Sequence, residues 1–229
     1  MLWQTPILMY HSVYVDQPHR GGVQRETLRA HLQWLAEHGW HGVTLSDHLK
    51  APRRNHVCVT FDDGYINNLS LALPLLAEYR FKATFFVCTR LAGHALDWHR
   101  TDPQPLMGAD GWQELHAHGH EVASHGMTHR RLSGLTLDEA RGEMANSRAD
   151  LEAVVGPVAG YAFPQGDFNA ALLELVREHY EYACATRPRG RIRQDRWTLK
   201  RLNIGPGDDL RRFRLKMSAL FRIACDLGL

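Results

Sequence analysis

The stretch "HVCVTFDDGYINN", residues 56–68, carries an apolar block straight into two adjacent carboxylates. Val57, Cys58, Val59 and Phe61 read as a buried strand, Asp62 and Asp63 stand where it ends, and Gly64 supplies the turn. Adjacent negative charges at the mouth of a core strand repel each other and lose hydration. The pair therefore calls for a partner that offsets this cost.

Outward from that block the chain repeats one idea. "HLQWLAEHGWHGVTL", "ALPLLAEYRFKATFFVC", "WQELHAHGHEVASH" and "LLELVREHYEYACAT" each run an amphipathic helix through a short joint into a β-rich segment. Leu28, Leu32 and Leu35 form the apolar stripe of the first helix, with Gly39 as its cap. In "TLDEARGEMANSRADLEAVVGP", Thr136 and Glu139 match a capping box. Ala140, Met144, Ser147, Leu151 and Val154 make one face there, and Gly156 and Pro157 stop the helix. Strands are predicted at 6–10, 42–45, 56–61, 83–88, 121–124, 158–163, 182–186 and 199–204. Strands alternating with helices argue for a parallel α/β sheet or barrel, and without a linker or low-complexity tract one domain over residues 1–229 is the simpler organisation. In parallel barrels catalytic groups sit at the C-terminal ends of strands, where Asp62 and Asp63 lie.

The partner appears in "HEVASHGMTHRRL". Glu121 to Ser124 read as the next inner strand, and His125 and His129 follow it. Two histidines four apart, with Asp63 from a neighbouring strand end, form a three-ligand site for a divalent metal with a position left for water. The metal would neutralise Asp63 and leave Asp62 charged beside it as a base. Among fifteen histidines, His116 and His120 have the same spacing, but they fall on a helix end before the strand, on the wrong side of the sheet.

"VTFDDGY", "GHEVASHGMTH" and "YAFPQGDFN", in this order, resemble the motifs of the polysaccharide deacetylases, the NodB-homology or family-four carbohydrate esterases. "PILMYHSV" and "CATRPRG…LKRLNI" resemble the circularly permuted branch, and the similarity runs from about residue 6 to residue 205. The resemblance implies a deformed (β/α) barrel with about seven inner parallel strands, and metal-dependent removal of N- or O-acetyl groups from glycans. It implies Asp63, His125 and His129 as ligands of zinc, with cobalt, nickel or iron also compatible with the donor set. Such an ion lowers the pKa of water and polarises the acetyl carbonyl. Asp62 would take the water proton, the backbone N–H of Gln165 would hold the oxyanion, and His11 of the Tyr10-His11 motif would protonate the leaving amine. Ala162 departs from the family, which carries there an arginine that orients the catalytic aspartate; Arg201 is the candidate replacement. Trp98, in the loop after "ATFFVC", is a candidate for stacking on a sugar ring, Tyr10 is a further candidate substrate contact, and Trp112 reads as core.

Composition narrows the setting. Hydrophobic residues make up 44% and charged residues 23%, and the net charge of +2 excludes a general nucleic-acid footprint. Cys58, Cys88, Cys184 and Cys225 form no CxxC pair and read as buried thiols rather than a disulfide framework. "MLWQTPILMYHSV" has no basic start before a long apolar core, so a cytoplasmic protein is expected. "DDLRRFRLKMSALFRIACDLGL" predicts a basic amphipathic helix at about 208–227, capped by Asp208 or Asp209. That helix fits either the last helix of a barrel or a peripheral contact at the inner face of a membrane. The membrane alternative would make the substrate an acetylated amino sugar on a lipid-linked or nucleotide-linked precursor. Two other functions fit the same residues: a metal-dependent amidase on a small nitrogen compound, and a degenerate barrel that binds glycan without activity.

Overall fold

The computed structural model describes residues 5–16, 21–94, 105–185 and 195–218. In chain order the elements are β1 (Ile7–Tyr10), β2 (Val13–Tyr14), β3 (Val23–Gln24), α1 (Arg25–Glu37), β4 (His41–Gly42), α2 (Leu45–Lys50), β5 (His56–Phe61), α3 (Leu73–Glu78) and β6 (Ala83–Val87). Then follow α4 (Ala109–Ala117), β7 (Glu121–Ser124), α5 (Leu137–Val155), β8 (Gly160–Ala162), α6 (Ala170–His179), β9 (Tyr182–Ala185), β10 (Leu199–Lys200), β11 (Leu202–Asn203) and α7 (Leu210–Met217).

The strands pair in the order β10-β9-β8-β7-β6-β5-β1-β11, every pair parallel, and β4 adds to the start of β5. β10 and β11 are two halves of one segment broken at Arg201. Leu199 and Lys200 pair with Cys184 and Ala185 of β9, whereas Leu202 and Asn203 pair with Leu8 and Met9 of β1. The segment changes partner at Arg201 and so joins the two edges of the sheet into a deformed barrel. Its staves are β1, β5, β6, β7, β8, β9 and the 199–203 segment, the number expected.

Period-two alternation sorts the strand residues into two cores. Val57, Val59 and Phe61 face outward, with Leu8, Phe85, Val122, Tyr161 and Ala183, against the leucine stripe of α1 and the surrounding helices. Cys58 faces inward, with Ile7, Phe86, Ala123, Ala162, Tyr182, Cys184 and Leu199. Each fully buried aromatic or aliphatic side chain contributes about 1.5–3 kcal/mol, which is enough to specify the phase, because a one-residue slip would expose a whole face. That phase sends Asp62, after Cys58 and Thr60, into the barrel at its C-terminal mouth.

Two sequence expectations change. The strand expected at 42–45 is only His41–Gly42, because Thr44 caps α2 by accepting a bond from the Asp47 N–H at 3.1 Å. Phe81 lies so close over Gly42 that a Cβ there would meet its ring at 2.4 Å. The strand expected at 199–204 is interrupted by the partner change. The capping box of α5 forms as expected, and Gly156 ends that helix at φ 77°. Asp209, rather than Asp208, caps α7. The part of the predicted basic helix beyond Ser218, with Cys225, lies outside the described residues, as does Trp98. Cys58, Cys88 and Cys184 are free and buried, and among the described residues no helix is long and apolar enough to cross a membrane.

Candidate active site

β5 ends in a reversal of backbone hand. The Asp62 N–H still donates to Tyr10 O at 2.9 Å and continues the β1–β5 ladder. Asp63 then takes φ 71° and Gly64 φ 84°. Two consecutive left-handed residues turn the chain sharply, so adjacent carboxylates that alternation would place on opposite faces both remain at the mouth. Position 64 needs glycine for its hand and for space, since a Cβ would lie 3.0 Å from the Val87 side chain. Of the non-glycine residues with positive φ among the described residues (Asp63, Arg80, His129 and Gln165), all but Arg80 are residues the sequence assigned to the site. Backbone strain collects where it is tied to function.

Asp63 meets the histidine pair as expected. Its Oδ1 lies 3.4 Å from His125 Nε2 and 3.2 Å from His129 Nε2, and all three side chains are buried. One ligand atom from each lies within 4.8 Å of the others, the one such cluster among the described residues. His125 Nδ1 bonds Ala162 O at 2.7 Å. A carbonyl only accepts, so Nδ1 carries a proton and Nε2 is the atom that faces Asp63. A bare lone pair against a buried carboxylate oxygen is unfavourable, so the pair calls for a positive charge between them, a proton or a cation; against its burial, Asp62 and Asp63 raise the His125 pKa for the same reason. The residues therefore fit a divalent ion, and two imidazoles with one carboxylate suit zinc. The rival pair separates: His116 is exposed, while His120 is buried and accepts a bond from the Ala83 N–H at 3.1 Å.

Asp62 meets a different partner. Arg201 donates to its Oδ1 and Oδ2 at 2.6 Å each, and to Thr60 Oγ1 at 3.2 Å, with the guanidinium 5.2 Å above the Phe86 ring. Burial alone would raise the Asp62 pKa. The Arg201 charge and its bonds outweigh that and, with His125 and His11, hold the carboxyl below its usual value, so it stays ionised. Arg201 is thus the cation that meets Asp62, while the small side chain of Ala162 sits in the inner core.

His11 follows β1 with its Nδ1 buried and without a hydrogen-bond partner, close enough for its charge to bear on both Asp62 and Asp63. Gln165 is left-handed with its side chain exposed, which leaves its main chain as the part available for the expected role. Tyr10 is a correction. It lies in phase with outward-facing Leu8, is fully buried, bonds His31 through its hydroxyl at 3.0 Å and stacks on Phe61. A substrate at the mouth does not reach that side chain.

Sequence reading passed over Glu143. It lies on the buried side of α5 and accepts bonds from the Met127 and Thr128 N–H groups, between the two histidines. Its signal was a charged residue interrupting the apolar stripe next to Met144.

A profile of the polysaccharide deacetylase family matches residues 50–183. The chain is 31% identical over 213 residues to YxkH of Bacillus subtilis, which carries the name of a polysaccharide deacetylase; the match covers 89% of this chain and 72% of that protein. Among solved structures, the Streptococcus pyogenes deacetylase PplD in complex with acetate has a TM-score of 0.78 at 24% identity, over 93% of this chain and 98% of that one. IcaB from Ammonifex degensii has a TM-score of 0.77 at 19% identity, over 99% and 97%. At these identities the structural likeness is one of fold.

Proposed function

Because the chain belongs to the polysaccharide deacetylase family, we propose that it is a metal-dependent hydrolase that removes an acetyl group from an amino sugar of a glycan. Family membership itself indicates carbohydrate deacetylation. The metal, the site roles and the identity of the sugar are our reading. The observation that carries it is the division of labour between neighbouring aspartates: Asp63 faces His125 and His129, while Asp62 is gripped by Arg201.

Asp63, His125 and His129 would hold the ion, with zinc the best match to the donors. A divalent ion there lowers the pKa of water and polarises a carbonyl. Asp62, kept ionised and fixed in direction by the bidentate guanidinium, accepts the proton of the attacking water. The Gln165 N–H is the candidate donor to the carbonyl oxygen as it gains charge. His11, with its unpartnered ring nitrogen, delivers a proton to the nitrogen as the C–N bond breaks. The products are acetate and a free amine; an O-acetyl substrate would give acetate and an alcohol.

Arg201 also bears on the alternatives. Ala162 in place of the family's arginine favours an inactive barrel; the buried Arg201 guanidinium on Asp62 supports the active reading instead. The described part of α7 packs as a last helix of the barrel. Phe213 and Met217 are buried, and Phe213 stacks on His31 at 4.0 Å and meets Trp34 edge-on, so these residues are used against α1, while Leu210 and Leu215 stay exposed. The substrate we propose is therefore an acetylated glycan, with no carrier assigned.

The test is acetate release from a small N-acetylated glucosamine oligomer by zinc-loaded and chelator-treated protein. The reading expects activity in the first and little in the second, restored by zinc. Turnover that survives metal removal, or zinc-loaded protein that releases no acetate from either N- or O-acetylated sugars, would overturn it.

A further inference from the structure

We propose that Glu143 is a positioning residue for the site: its carboxylate holds the 126–128 turn and so places His129 opposite Asp63. This rests on Asp63, His125 and His129 being metal ligands.

The turn has to do something unusual. β7 ends at Ser124, His125 still points into the barrel, and His129 must come back to within 3.2 Å of the same carboxylate oxygen. The chain does this through Gly126 at φ 79° and His129 at φ 56°. A left-handed histidine is uncommon and persists only when its surroundings impose it.

The backbone groups of the turn show what imposes it. On one side, Gly126 O and Met127 O accept from the Thr89 and Arg90 N–H groups at 3.2 and 3.0 Å, which ties the turn to the end of β6. On the other side, the Met127 and Thr128 N–H groups both donate to Glu143 Oε2, at 2.7 and 3.1 Å, and the Thr128 hydroxyl donates to Oε1. The Gly126 N–H donates to Ser124 Oγ at 3.1 Å. Glu143 is 4% exposed and has no cation among its described partners. Its charge is met by backbone donors and a hydroxyl, a pattern that fixes geometry by direction as well as by strength. There is no slack: a Cβ on Gly126 would sit 3.1 Å from Glu143 Oε2 and 3.4 Å from the Tyr161 hydroxyl.

The Glu143 carboxylate is therefore to His129 what the Ala162 carbonyl is to His125. Ala162 orients one ligand through its ring, and Glu143 orients the other through its backbone. Groups that orient ligands contribute about 10–100-fold to metal affinity.

Glu143→Gln keeps the shape but replaces the charged acceptor of the Met127 and Thr128 N–H groups by a neutral amide oxygen, which loses the charge assistance of both bonds and turns an NH₂ toward the Thr128 hydroxyl. Glu121→Gln is the control, because that carboxylate also accepts from hydroxyls and a backbone N–H but lies at the opposite end of β7. Zinc affinity is read by competition with a chromophoric chelator. Exchange of the Met127 and Thr128 amides is read in metal-free protein. The proposal expects zinc binding about tenfold weaker and faster exchange of both amides in Glu143→Gln, with neither changed in Glu121→Gln. Zinc affinity in Glu143→Gln within about twofold of the parent, or an equal loss in both variants, overturns it. A parent protein that binds no zinc, with both amides still protected by Glu143, overturns instead the ligand reading on which the proposal rests.

Discussion

The two ends of the barrel both bury charge, and they treat it in opposite ways. At the N-terminal floor, Glu121 at the start of β7 accepts from the Tyr182 and Thr84 hydroxyls at 2.9 and 2.8 Å, from the Ser46 N–H at 3.2 Å, and from the Ser46 hydroxyl. Both carboxylate oxygens are satisfied, by neutral donors held on β9, β6 and α2. At the C-terminal mouth, Asp63 Oδ1, His11 Nδ1 and Arg201 Nε are buried without hydrogen-bond partners. Buried polar groups that are all paired cost little and hold a fold together. Groups that converge with unfilled valences carry a cost the fold alone does not explain. Of the four left-handed non-glycine residues among those described, Asp63, His129 and Gln165 fall on the same side, and Arg80, before the start of β6, falls on the other. Unpaired atoms also occur elsewhere, His48 Nε2 beside the floor among them; what sets the mouth apart is that unpaired atoms of three charged or titratable side chains converge there.

This contrast predicts that substitutions at the mouth change chemistry and those at the floor change stability. The largest effect is expected for His125→Ala, which should lose bound zinc and with it turnover, while His116→Ala keeps both; elemental analysis of the purified variants decides. Asp62→Asn should retain zinc yet lose about 10²–10⁴-fold in turnover, the usual contribution of a general base, measured as acetate release. Near-normal turnover there would break the assignment.

Arg201→Gln sharpens the comparison, because Arg201 closes the barrel and also grips the base. Removing it strands a buried carboxylate, so a loss of about 3–5 kcal/mol in unfolding free energy is expected, together with a fall in turnover. Glu121→Ala should lower stability by about 3 kcal/mol through the donors it orphans, with turnover per folded molecule unchanged. A floor variant that lost activity without losing stability would break the distinction.

The smallest effect concerns pH. Burial pushes His31 down to about 4, against the opposing influence of Asp208. Its hydroxyl partner is Tyr10, Phe213 covers it, and Lys216 adds a charge that also lowers it. The unfolded chain takes up the proton first, so stability is full above about pH 6.5 and is lost as the pH falls toward 4. From this residue alone the loss is about 2 kcal/mol between about pH 7 and pH 5. Urea unfolding at both pH values should show a smaller loss in His31→Gln than in the parent.

Strand ends, the capping box of α5 and the ligand pattern were legible in the sequence because each depends on neighbours a few residues away. Alternation sets which side chains turn inward, Gly64 marks where β5 stops, and the spacing of His125 and His129 puts both beside one strand end. Thr44 was equally local and was overlooked: the capping signal lay inside residues that looked like a strand. Tyr10 was misplaced for a different reason. Its neighbour His11 belongs to the mouth, but one residue along a strand is the opposite face.

What only the tertiary structure decided are the contacts that cross the barrel. Arg201 reaches Asp62 across 139 positions of sequence because the 199–203 segment leaves β9 for β1 at that residue and turns its guanidinium inward. In the sequence, an arginine at a strand end reads equally well as a surface cation. Glu143 likewise went unread in the sequence, and only the packing of α5 lays it under the turn that carries His129. Local pattern determined where each segment starts, stops and faces. Closure of the ring determined which distant segments meet, because its pairing energy comes from backbone bonds that carry no residue identity.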